Sequence, residues 1–256
     1  MVYYYYWKEV GVLINSFKRR EKKFLITKEQ FEALLPTILE HMNYDKFCIG
    51  GNKYLIRNIY LDTDTNTLVR ISVSKPKFKE KMRIRKYGTW NDGRDEYFLE
   101  IKRKINKIVT KRRIKLTYEQ LNDFLKNNIK PEKRKPVNKQ IVEEIAYFLS
   151  LYKVKNKTFL YYERLAFFDK DDPNFRVSFD TNIRSRRSGF DFDDSSYEKE
   201  LIKDNQLLME VKINNAFPLW FTKELSKLKI YSRSFSKYGT DFKKTVKEGE
   251  LTYEHI

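Results

Sequence analysis

The 256-residue chain is poor in the residues that build metal clusters and disulfide frameworks. Its one cysteine, Cys48, excludes an intramolecular disulfide framework and any cysteine-based zinc site. Two histidines, His41 and His255, argue against a histidine-rich metal centre or a His-dependent nucleophile triad. With 8 glycines and 6 prolines it is neither a fibre nor a linker. No run approaches the ~20 apolar residues of a membrane span, and no basic start, apolar run and small-residue cleavage site combine into a signal peptide. The aromatic opening, with Tyr3 to Tyr6 in succession, is interrupted by Lys8 and Glu9 and reads as a leader over residues 1–17. Acidic residues are short as well: 35, against 53 lysines and arginines, for a net charge of +18. What the chain does have is core material. With 41% hydrophobic and 16% aromatic residues it is not disordered. The balance points to a reduced, intracellular globular protein whose surplus cations call for a polyanionic partner.

Alternation with a period of two marks several strands with unlike faces. Residues 18–26 set Arg19, Glu21 and Lys23 against Lys22, Phe24 and Ile26. Residues 80–87 set Lys81, Arg83, Arg85 and Tyr87 against Met82 and Ile84. Residues 97–104 put Glu100, Lys102 and Lys104 opposite Leu99 and Ile101, and 160–167 put Tyr162 and Arg164 opposite Leu165 and Phe167. The longest alternation, 175–186, would carry Arg176, Ser178, Asp180, Asn182, Arg184 and Arg186 on one face. Residues 207–213 pair Glu210 with Lys212, and 54–62 reads as a strand with less distinct faces.

Helices interleave with the strands. Thr27–Gln30 and Thr117–Gln120 are capping boxes ahead of apolar-periodic stretches, the first running through Pro36. Residues 137–152 have helical spacing, and Pro218 opens a helix through WFTKELSKL. The Lys/Pro-rich stretch 130–136 resembles a linker, and Asp191 to Asp194 a surface loop. Strands with the same charge habit flank that stretch, so residues 18–256 read as one α+β domain with a helical insertion around 117–152.

The polar faces are dense in fixed charge. Glu-x-Lys recurs as Glu21–Lys23, Glu100–Lys102 and Glu210–Lys212, and residues i and i+2 of a strand share a face. A closed antiparallel barrel of about eight strands, helices covering its apolar outside, would turn these charges into a tunnel lining. A cationic interior of that kind is tolerable only with a polyanion inside. Phosphate chains fit, because arginine forks and lysine point charges both bind phosphate oxygens. The few carboxylates would then suit Mg²⁺ or Mn²⁺ bridging to phosphate. No Gly-x-x-x-x-Gly-Lys-Ser/Thr loop occurs, which excludes phosphate chemistry of the P-loop kind.

The sequence resembles the catalytic domain of VTC polyphosphate polymerases within the triphosphate tunnel metalloenzyme (CYTH-like) superfamily. The resemblance runs from about residue 18 to 245 through RREKKF, NIYLDT, KMRIRKYG, FLEIKRK, KRR (111–113), YYER, RVSFDTNIR, MEVKI and SFSKYG. No one of these motifs is specific alone; their ordered series is. Many members begin Glu-x-Glu-x-Lys, whereas Arg19 stands first here, similar to the polymerase branch.

The resemblance implies an ATP:polyphosphate phosphotransferase with Mn²⁺ or Mg²⁺. Arg83, Arg85, Lys102, Arg164, Arg176 and Lys237 would grip the reacting triphosphate. Arg19, Lys23, Lys111, Lys212 and Arg184 would add phosphate contacts. Glu210 would be the chief metal ligand, with Glu21 and Glu100 assisting. Lys111, Arg112 and Arg113 are adjacent, so their register is open, and Asp180 either ligates metal or pairs with Arg176 or Arg184. Expected partners are ATP and inorganic polyphosphate or pyrophosphate, with room for a membrane-protein partner and no nucleic acid. Such a protein would be cytoplasmic, or held at the inner face of a membrane by that partner. Two alternatives remain: a triphosphatase or nucleoside triphosphatase on the same fold, and a non-enzymatic polyanion binder.

Overall fold

A computed structural model describes residues 20–91, 93–106, 108–214 and 216–251, so the leader and Arg19 lie outside the described residues. These hold ten strands: β1 (Arg20–Thr27), β2 (Met42–Tyr44), β3 (Tyr54–Asp62), β4 (Phe78–Gly88), β5 (Tyr97–Ile105), β6 (Ile108–Leu116), β7 (Lys155–Asp169), β8 (Arg176–Arg186), β9 (Lys199–Glu200) and β10 (Gln206–Ile213). Six α-helices accompany them: α1 (Lys28–His41), α2 (Thr67–Val73), α3 (Tyr118–Lys126), α4 (Pro136–Tyr152), α5 (Leu219–Lys227) and α6 (Lys237–Lys247). Both expected capping boxes form, with Gln30 N–H donating to Thr27 Oγ1 at 3.2 Å and Gln120 N–H to Thr117 Oγ1 at 3.2 Å.

One mixed-length antiparallel sheet runs β1-β10-β8-β7-β3-β4-β5-β6, with β2 added to β7 and β9 to β8. Its end strands β1 and β6 are not hydrogen-bonded to each other, so the expected closed barrel is instead a strongly curled, open sheet. The reason lies at the free edge of β1, which is already used. Ser232 bridges Phe24 there, and Arg233 N–H donates to Lys23 O at 2.7 Å. The segment leading into α6 therefore stands where a closing strand would pair.

The apolar faces point outward into two helix-covered cores. Met82, Ile84, Leu99, Ile101 and Ile114 pack under Phe124 of α3 and Ile145 and Phe148 of α4. Phe24, Ile26, Val177, Phe179 and Met209 pack under Leu34 and Ile38 of α1 and Phe221 of α5. A third cluster lies on the concave side, where Tyr238 and Phe242 of α6 meet Ile56, Tyr60, Leu160, Tyr162 and Leu208. Helix α6 thus fills part of the concavity and brings its first residue, Lys237, to the charged remainder. Fully buried Asp62 ties this arrangement together: it accepts from Leu68 N–H at 2.8 Å, Val69 N–H at 2.9 Å and the Tyr238 hydroxyl at 2.7 Å.

The β7–β8 register shifts between Tyr161 and Glu163, where Asn182 adopts a left-handed φ of 50°. This bulge exchanges the faces of β8. Before it Val177 and Phe179 face the outer core, and after it Ile183 joins the concave cluster. Arg184 and Arg186 are consequently carried to the outside, contrary to the unbroken alternation expected for 175–186.

Candidate functional site

Two ion-pair networks occupy the concave face. The first is centred on Glu210 of β10, which is buried. Its Oε1 receives Lys23 of β1 at 3.0 Å and Lys237 of α6 at 3.0 Å, and its Oε2 receives Arg164 Nη2 at 3.0 Å. Cross-strand register sets Lys23 directly opposite Glu210, and the helix start supplies Lys237 from 27 residues away. Fully buried Asp180 completes this network through Arg164 Nε at 2.6 Å and Nη2 at 2.7 Å, and through Lys237 Nζ at 2.6 Å. Asp180 pairs with neither Arg176 nor Arg184, so the open sequence reading resolves differently. Burial pushes the Glu210 carboxyl up, but Lys23, Lys237 and Arg164 outweigh it and hold the group well below the usual carboxylate range.

The second network is centred on Glu100 of β5. Arg83 Nε donates to its Oε2 at 2.7 Å, Lys111 Nζ lies 2.6 Å from its Oε1, and Arg85 Nε stands 3.8 Å away. Asn58 Oδ1 accepts from Arg85 Nε at 2.9 Å and the Tyr60 hydroxyl from Arg83 Nη1 at 3.2 Å. Both guanidinium groups are thereby aimed by β3. Lys111 sits opposite Lys102, and Arg113 opposite Glu100 at 3.9 Å, while Arg112 turns outward to Glu144 at 3.6 Å. That settles the register left open by three adjacent cations.

On and between the networks stand lysines whose burial is not fully offset by carboxylates. Burial, with Lys79 and Lys102 nearby, pushes Lys81 down to about 7. Burial likewise takes Lys111 to about 7 despite the pull of Glu100, and, with Arg164, takes Lys212 to about 8. Glu21 of β1 is held low against the effect of burial chiefly by Lys102 of β5, so the sheet ends approach across the concavity although their backbones do not pair. The uncompensated charge is what a polyanion would neutralise.

Not every expected residue joins. Arg176 lies on the concave parity, opposite Lys212, but is exposed at the rim, with Nε donating to Pro173 O at 3.1 Å. Arg184 is on the outer face, paired with Glu200 at 3.0 Å and 4.1 Å over the Tyr197 ring. Arg184→Ala is therefore expected to change tripolyphosphate affinity by no more than about twofold in a binding titration. Lys81, whose Nζ donates to Ser236 Oγ at 3.1 Å, was visible by parity beside Arg83. Asn58 carried no such signal, because the faces of β3 are indistinct in sequence.

A family model for the VTC domain matches residues 18–246. The chain belongs to the VTC domain family. No curated protein matches it in sequence. Among solved structures, the crystal structure of "a putative adenylate cyclase" from Bacillus halodurans shares the fold, at a TM-score of 0.51 and 16% identity. The alignment covers 86% of this chain and 95% of that chain. What the two share is the fold, in this chain one open antiparallel sheet with helices packed on its outer face.

The resemblance to the tunnel metalloenzymes implies a divalent metal, and two carboxylates of this VTC domain fit one. Among the described residues no three acidic, histidine or cysteine side chains gather. Glu210, Glu21 and Glu100 therefore do not form one site: Glu100 belongs to the arginine network, whereas Glu21 and Glu210 share Lys23, at 3.4 and 3.0 Å. Two neighbouring carboxylates match a hard cation that takes its remaining ligands from phosphate oxygens and water. Among the described residues no helix is long and apolar enough to cross a membrane.

Proposed function

We propose that this VTC domain transfers the γ-phosphoryl group of ATP to the end of an inorganic polyphosphate chain. A terminal phosphate oxygen of the acceptor forms the new bond to the γ-phosphorus, the bond from that phosphorus to the β,γ-bridging oxygen breaks, and ADP leaves with the electron pair. Arg83, Arg85 and Arg164, each fixed by a carboxylate or Asn58, would hold the phosphates in line. Lys81, Lys102, Lys111 and Lys212 would neutralise the chain as it lengthens, and Lys23 and Lys237 would position Glu210. Mg²⁺ or Mn²⁺ held by Glu210 and Glu21 would screen charge on the transferring group.

The observation that carries this reading is the state of the carboxylates. Glu21, Glu100, Asp180 and Glu210 each face at least one cation within 3.4 Å. None stands unpaired as a base to activate water, which favours an acceptor that is already anionic. Partners of the same reading are ATP and polyphosphate or pyrophosphate, not nucleic acid, with a membrane protein as the anchoring partner.

Purified protein given ATP and Mn²⁺ is expected to release ADP and accumulate acid-labile chains that a polyphosphatase degrades. Free phosphate as the sole product, at a rate indifferent to added pyrophosphate, would establish a triphosphatase instead. Tight salt-sensitive polyanion binding without ATP turnover would establish a binder.

A further inference from the structure

The concave face is chemically asymmetric along its length. At one end aromatic rings gather beside the arginines. Phe47 lies parallel to Tyr87, at 7° with centroids 6.1 Å apart, and tilted against Tyr54 at 5.6 Å. Tyr87 meets Phe98 edge-on at 5.6 Å. Arg85 stands 5.5 Å over the Tyr87 ring and donates Nη1 to its hydroxyl at 3.0 Å, so the rings and the phosphate-gripping network are continuous. Arg113 lies 4.9 Å over Phe98. The other end of the same face carries Lys79, Lys81 and Lys102, and the rings beside them, Tyr60 stacked on Tyr238 of α6 at 4.4 Å, are buried and offer no open face.

Phe47 is 49% exposed although its loop is held in place. Asp45 N–H donates to Ala166 O at 2.7 Å, and Ala166 N–H to Cys48 Sγ at 3.2 Å. A fixed loop that keeps a large ring in water at the mouth of a cationic cleft has little use for phosphate, because a ring face repels anions. It does suit a planar base, which stacks favourably on an aromatic side chain.

We propose that Phe47, supported by Tyr54 and Tyr87, is the nucleobase platform of this domain. A nucleoside triphosphate would enter base-outward at this mouth, its phosphates reaching Arg85 first and Arg83 beyond. The inference rests on reading the concave face as a phosphate-polyanion site. Because stacking scales with ring area, purine nucleotides should be preferred over pyrimidine nucleotides.

The test measures dissociation constants for ATP and for inorganic tripolyphosphate on the full chain, comparing wild type, Phe47→Ala and Phe47→Trp. Phe47→Ala is expected to weaken ATP roughly tenfold while leaving tripolyphosphate unchanged. Phe47→Trp, which restores a stacking surface, is expected to bind ATP at least as tightly as wild type. ATP affinity unchanged in Phe47→Ala, or ATP and tripolyphosphate weakened together, would overturn the platform. A wild-type protein that ignores tripolyphosphate but binds ATP would instead sink the underlying polyanion reading, a separate result in the same experiment.

Discussion

Glu210→Gln is expected to lower the rate of ATP consumption in Mn²⁺ by two orders of magnitude or more, while tripolyphosphate binding survives or tightens. Glutamine keeps the volume of Glu210 but removes the charge that Lys23, Lys237 and Arg164 share at 3.0 Å each. Breaking one partner out of a buried ionic network typically costs about 3–5 kcal/mol. Asp180 still holds Arg164 and Lys237, so the loss should sit at the low end. The three released cations make the cleft more attractive to phosphate, yet the carboxylate proposed as the chief metal ligand is gone. Binding and turnover should therefore separate, which calorimetry with tripolyphosphate and an ADP-release assay would read side by side. Turnover unchanged in the variant would remove Glu210 from the metal site. The pH dependence has a definite sign. A carboxyl held below its ordinary value stabilises the fold above about 4.5 and loses that contribution as the pH falls toward its folded value. No titration of Glu210 should therefore appear in activity between about pH 5 and 9.

Lys81→Met is expected to do the reverse: stabilise the unliganded protein and weaken its grip on polyanions. Lys81 titrates at about 7 because burial, Lys79 and Lys102 all disfavour its charge. A lysine whose folded value lies below its unfolded value destabilises the fold most below about pH 7. That penalty fades as the pH rises toward 10.5, where the unfolded chain also releases the proton. Replacing a poorly compensated cation with a well-packed apolar side chain commonly gains about 1–4 kcal/mol. For a chain of this size that is a rise of several degrees in Tm at pH 6, shrinking at pH 9. Tripolyphosphate affinity should meanwhile fall by roughly tenfold, the equivalent of one charge-assisted contact. Thermal melts at the two pH values, with and without tripolyphosphate, check both halves. A variant that melts lower than wild type at pH 6 and binds tripolyphosphate equally well would show that Lys81 is an ordinary structural residue. Stability given up for charge density is the physical signature expected of a binding cleft.

Much of this cleft is legible in the sequence because a strand has a period of two. That period alone puts Lys81, Arg83, Arg85 and Tyr87 on one face of β4, Glu100 and Lys102 on one face of β5, and Glu21 with Lys23 and Glu210 with Lys212 on single faces of β1 and β10. The same rule fails where a single residue is inserted. Asn182, left-handed at φ 50°, turns Arg184 and Arg186 outward, and a short polar residue within an alternating run gives no warning of it. Closure fails for a similar reason. Nothing in the composition of β1 shows that Ser232 and Arg233, some two hundred residues away, take its free edge.

The sequence by itself determined the class of this protein: an α+β chain of the VTC domain family, with more cations than its carboxylates can balance and those cations placed strand by strand on one face. Tertiary structure decided how the charges divide. Glu210 and Asp180 with Lys237, Glu100 with Arg83 and Lys111, and Arg85 aimed by Asn58 are all contacts between different elements, which the period of a single strand cannot place. The separation of Glu21 and Glu210 from Glu100 is likewise a matter of which strands are neighbours. The physical reason is one of range. Local backbone geometry dictates which way a side chain points, whereas the energy of a buried charge depends on what stands within a few ångströms, and only strand order and helix docking bring that about.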